Sequence, residues 1–105
     1  MAALAVQSVA DAGLDVQFAS AAGGGDTVTA SAFRAAGWET SVLAVVVRNG
    51  GGSGITVTVG TKDPVTVAAG GCAVIPIITG IGSVATAVAY SGVTSVTVAV
   101  VRLGG

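Results

Sequence analysis

Apolar and polar residues alternate with a period of two along most of this chain. In "LDVQFAS", Leu14, Val16 and Phe18 fall on one side and Asp15 and Gln17 on the other. In "ITVTV", Ile55, Val57 and Val59 oppose Thr56 and Thr58. In "SVTVAVVR", Val96, Val98 and Val100 oppose Thr97 and Ala99. Successive side chains of a strand point to opposite faces, and β-branched residues suit a half-buried pleat. The pattern therefore predicts strands of antiparallel sheets with one wet face. Two segments differ. "VLAVVV", 42–47, is apolar on both sides, which predicts a central strand covered twice. "VATAVAY", 84–90, sets Val84, Val88 and Tyr90 against Ala85, Ala87 and Ala89, and a flat alanine face lets another backbone come close.

Small and turn-forming residues separate these runs: "AAGGGD" at 21–26, "NGGGSG" at 49–54, "GTKDP" at 60–64, "AAGG" at 68–71, "TGIGS" at 79–83 and "SGVT" at 91–94. Glycine supplies the positive φ that tight turns need. "GGGD" and "NGGGSG" read as hairpin loops, since neither continues into the Gly-Lys-Ser/Thr of a phosphate loop or opens a helix. Strands are expected near 3–7, 14–19, 26–29, 41–48, 55–60, 65–68, 72–78, 84–90 and 94–102. Pro76, inside "CAVIPII", has no N–H for a ladder, so its strand is an edge or carries a bulge. The one helical candidate is a single turn in "SAFRAAGWE", 31–39. "VTV" recurs at 57–59, 65–67 and 96–98, too irregularly for a solenoid. These features predict an all-β fold: an antiparallel β-sandwich, jelly-roll-like, of about eight short strands. Residues 1–13 would form an N-terminal arm or first strand, and 14–105 a single β-sandwich domain.

Composition sharpens the picture. Charged residues make up 9% of the 105 residues, against about a quarter in ordinary domains, while apolar residues make up 52%. A domain this size has more surface than core, so part of its outside is expected to be covered by partner chains, in preference to the alternative of an Ala/Thr/Ser/Gly skin left in water. The basic residues Arg34, Arg48, Lys62 and Arg102 are scattered, the net charge is −1, and no stripe exists that could neutralise many phosphates. Nucleic acid is not an expected partner. No apolar run is long enough to span a bilayer, and the strands are shorter than the roughly ten residues of a membrane barrel, so no membrane partner is expected. The start, "MAALAVQSVADAG", lacks a basic region and meets Asp11 early, so no signal peptide is expected.

Candidate chemistry is sparse. The chain has no His, a single Cys and five acids without ligand spacing, so no metal, no cofactor and no enzymatic activity are expected. Cys72 cannot form an internal disulfide, lacks a His to activate it, and reads as a small buried hydrophobe in a strand. Asp11, Asp15 and Asp26 read as solvated turn residues, not a calcium loop. Phe33, Arg34, Trp38 and Glu39 cluster in the irregular stretch 31–40. They either plug one end of the sandwich or form an aromatic and arginine anchor at a protein interface. The ending "VVRLGG" shares its Gly-Gly with ubiquitin-like carriers, but no amphipathic helix of such a fold is present, and a frayed tail is the plainer reading. The "TVT" units raise an ice-binding face but do not repeat at a fixed period.

Four stretches resemble small virion proteins of tailed bacteriophages, of the capsid decoration or cement type: "GGGDTV" at 23–28, "VVVRNGGGSGITVTV" at 45–59, "VTVAAGG" at 65–71 and "YSGVTSVTVAVVRL" at 90–103. Together they touch about half the chain. The resemblance implies a β-sandwich module on the outer capsid surface, assembled in the host cytoplasm. It would be bound without covalent linkage to the major capsid protein, often as a homotrimer, and it brings no catalytic residues. Two stretches depart from it: "TASAFRAAGWETS" is longer than expected, and "PIITGIGS" is shorter and less polar. A tail-fibre or receptor-binding β-module is the alternative expectation, and a Gly-Gly-tailed carrier a distant one.

Overall fold

Valines that alternate along the sequence end up facing one another across two stacked sheets. The computed structural model describes residues 2–4, 6–8, 14–29, 42–60, 62–78 and 85–103. These residues contain ten strands and no helix. The strands are β1 (Ala2–Leu4), β2 (Val6–Ser8), β3 (Ala19–Ser20), β4 (Asp26–Thr29), β5 (Val42–Asn49), β6 (Ile55–Val59), β7 (Val65–Val67), β8 (Cys72–Ile78), β9 (Ala85–Tyr90) and β10 (Val96–Leu103). The first sheet has the order β1-β4-β9-β6-β7. The second has the order β2-β10-β5-β8, with β3 also on β10. Val28, Val57, Val59, Val67 and Val88 of the first sheet meet Val45, Val47, Ile75, Val96, Val98 and Val100 of the second. Each fully buried aliphatic side chain contributes about 1.5–3 kcal/mol by leaving water. The fold is the all-β sandwich that the alternation predicts.

Pairing is antiparallel except at β1–β4 and β2–β10, which are parallel. The expected strand at 3–7 is two strands, one in each sheet. The alternation in 14–18 does not make a ladder either. The side-chain amide of Gln7 stands in for a neighbouring strand: its Nε2 donates to Gln17 O and its Oε1 accepts from Gln17 N–H, both at 2.9 Å.

The hairpin reading of the glycine loops is corrected. Loop 50–54 joins β5 to β6, and loop 21–25 joins β3 to β4, yet each pair of strands lies in different sheets. Both edges of β5 are already occupied, by β10 and β8, so the chain leaving it must cross to the other layer. Among the described residues only β6 and β7 are consecutive strands paired directly to each other.

Pro76 lies on β8, an edge strand, as its missing N–H requires. Bonded and non-bonded pairs alternate along an antiparallel ladder. Asn49 N–H donates to Gly71 O at 2.9 Å, which makes Asn49–Gly71 a bonded pair. The pair Ala44–Pro76 lies five steps further and falls in the non-bonded set. The Pro76 nitrogen therefore faces the open edge, costs no ladder bond, and removes one donor from that edge. Within the apolar strand 42–47 both faces are buried at Ala44 and Val45, and so are Ala99 and Val101 on the neighbouring outer face.

Candidate interaction surfaces and buried polar groups

Two buried polar side chains organise one end of the sandwich. Asp26 begins β4 in phase with Val28, so the pleat turns it inward, and it is 0% exposed. The solvated-turn reading of Asp26 is thereby overturned. Tyr90 lies on β9, two residues beyond the partner of Asp26, and donates its hydroxyl to Asp26 Oδ2 at 2.6 Å. Ala22 N–H donates to the same oxygen at 3.3 Å. Burial, then the hydrogen bond to Asp26 and its negative charge, hold the Tyr90 phenol far above its ordinary value of 10.0. Gly25 makes the approach possible. Its φ is +92°, and a Cβ there would sit 3.0 Å from the backbone oxygen of Val88.

Asn49, 1% exposed, ends β5 and ties three segments together. Its Nδ2 donates to Ser53 O at 2.8 Å and to Val67 O at 3.1 Å, and its Oδ1 accepts from Gly51 N–H at 3.0 Å. Its backbone oxygen accepts from Gly70 N–H at 2.7 Å. Gly50 N–H donates to Ser95 O, and Ala21 N–H to Val96 O. Turns 21–25, 50–54, 68–71 and 91–95 thus meet at one end, and they carry no charged side chain. The turn bearing Lys62 and Asp63 lies at the other end, beyond β6.

The outer face of the first sheet presents Thr27, Thr56, Thr58, Thr66, Ala87 and Ala89, with no charged residue on that face among the described residues. The exposed alanines of β9 are those the sequence pattern placed opposite Val88 and Tyr90. The second sheet differs. Arg48 stacks over the Phe18 ring, 5.2 Å from its centroid. Its cross-strand neighbour on β8 is Cys72. Cys72 is exposed, which corrects the expectation of a buried thiol. On β8, Ala73 and Ile75 face the core, while Cys72, Val74 and Pro76 face outward, and Val74 is 65% exposed.

Three or more His, Cys, Asp or Glu residues do not gather anywhere among the described residues. No helix among them is long and apolar enough to cross a membrane. The interface candidates Phe33, Arg34, Trp38 and Glu39 lie outside the described residues, as do Asp11 and the terminal Gly104 and Gly105. The residues that the sequence reading missed are Asp26, Tyr90 and Asn49. Their signal was phase: each falls on the inward parity of its strand, level with buried valines. No protein-family model, curated protein or solved structure matches this chain.

Proposed function

We propose that this chain is a structural virion protein that decorates and stabilises a bacteriophage capsid. It binds the outer shell without covalent linkage, with the major capsid protein and other copies of itself, as a trimer, for partners. The observation that carries this reading is an uncharged part of the exterior: a Thr/Ala sheet face and an end built of glycine-rich turns. Such surfaces gain little from standing alone in water and fit closely against a partner's backbone. The Val/Thr/Gly stretches that resemble decoration proteins supply the partner class.

Each bound copy favours the intact shell over separated subunits, so modest affinity repeated over many copies stiffens the particle. Binding through uncharged surfaces is weakly screened, so it survives salt that removes electrostatic ligands. The test is co-sedimentation of the purified protein with assembled shells and with dissociated coat subunits, over a range of salt. Binding to shells only, with little loss at high salt, is expected. Trp38→Ala, checked for folding by circular dichroism, tests by its shell occupancy whether the stretch 31–40 is the interface anchor or the core plug. Absence of shell binding, together with binding to a host surface glycan, would replace this reading with the receptor-binding module.

A further inference from the structure

The two long sides of the sandwich are closed in different ways. On one side β7 passes directly into β8 through turn 68–71, which Asn49 pins through Val67 O, Gly70 N–H and Gly71 O. On the other side turn 21–25 closes only the glycine-rich end. The remainder is closed by Ala2–Leu4 and Val6–Ser8. This segment runs down the seam in one direction, in register with Asp26–Val28 through Ala2–Leu4, then with Val100–Arg102 through Val6–Ser8. Among the described residues its hold consists of three register pairs in each sheet, Leu4 against the core, and the Gln7 amide on Gln17. Beside it lies an apolar cleft of about 310 Å³ lined by Leu4, Phe18, Val98 and Val100, among others. Along the sequence only residues 9–18 separate Ser8 from β3, so the covalent link between the segment and the acceptor strands is short.

We propose that this seam is a strand-acceptor site whose alternative occupant is residues 2–8 of a second copy of this chain. The fit of occupant to site is given by the chain itself, since its own segment already sits there. A segment seated in trans makes the same ladder bonds and the same Leu4 contact as one seated in cis. Contact energy therefore cancels between the two forms, and effective concentration decides. A short tether sets that at about the millimolar range. The sandwich is closed on itself in dilute solution and exchanges segments where copies crowd together. This goes beyond the shell reading and stands without it.

The test is intermolecular paramagnetic broadening between full-length chains. A spin label is placed on Ala3→Cys in a Cys72→Ser background, and this unenriched protein is mixed with ¹⁵N-enriched Cys72→Ser protein. The expected result is loss of amide intensity at Asp26–Thr29 and Val100–Arg102 of the enriched, unlabelled chain. The loss grows with concentration and reaches about half near 1 mM, the range set by a short tether. The labelled chain, itself enriched, must show intrachain broadening at the same strands. If it does not, the label has displaced the segment, and Ala2→Cys replaces Ala3→Cys. No intermolecular loss at these strands near that concentration, with intrachain broadening intact, overturns the proposal. So does loss confined to β8, which would place association at the opposite edge.

Discussion

Raising the pH tests the buried pair directly, because Tyr90 is the only tyrosine in the chain. In the native state its hydroxyl donates to Asp26 Oδ2 at 2.6 Å, and the carboxylate is fully buried. Ionising the phenol would set two negative charges against each other in a poorly solvated place. Its native pKa is therefore raised above the 10.0 of an exposed phenol. The stability from this pair is complete below pH 10 and is lost as pH rises above it, because the unfolded chain then releases a proton that the native state keeps. The limiting slope is about 1.4 kcal/mol per pH unit, or about 2.7 kcal/mol by pH 12. Tyr90 is half-buried, so solvent screens part of the repulsion, and about 1.5 kcal/mol is the working figure. Urea midpoints measured from pH 8 to pH 12 should fall over the upper part of that range, and near-ultraviolet phenolate absorbance should appear with unfolding and not before. Tyr90→Phe should flatten the slope. At neutral pH the same substitution should cost about 1.5–3 kcal/mol, because a buried carboxylate loses its strongest donor. A phenol that titrates near pH 10 in folded protein, or an equal slope in Tyr90→Phe, refutes the reasoning.

Asn49→Ala should cost about 2–4 kcal/mol, since it removes two donors and an acceptor and leaves the buried bond to the Val67 carbonyl unmade, and hydrogen exchange should quicken first at the Gly51 amide. Gly25→Ala should cost about 2–3 kcal/mol, read from the urea midpoint, because it meets both the left-handed φ and the Val88 oxygen. Pro76→Thr should leave stability within about 0.5 kcal/mol and raise self-association in sedimentation, because it restores an outward donor to the open edge of β8. Cys72 should react fully with a thiol reagent in folded protein, in keeping with its exposed position.

The sequence by itself determined what depends on neighbours along the chain. Alternation of Val with Thr assigned inward and outward faces in β6 and β10, and Val88 and Tyr90 against the alanines of β9. Pro76 restricted its strand to an edge or a bulge, because a missing N–H is a property of the residue alone, and the sheet order made it an edge. Glycine marked where strands stop. The tertiary structure decided whatever depends on which strand edges are free. Turn 50–54 joins two sheets and not a hairpin, because β10 and β8 flank β5, and they are some twenty or more residues away in sequence. The N-terminal run divides between sheets for the same reason: β4 and β10 each had an open edge on that side. Cys72 faces water because β8 is an edge whose outward parity includes it, although the alternation of that apolar run was silent on direction. Asp26 was legible by phase and hidden by type. A carboxylate is expected in water, and inside the fold it is met by the local Ala22 N–H and by the Tyr90 hydroxyl, which arrives from a strand about sixty residues on. Strand character is local, but the choice of ladder partner, and with it the fate of each polar side chain, is a competition between distant segments that only the folded chain resolves.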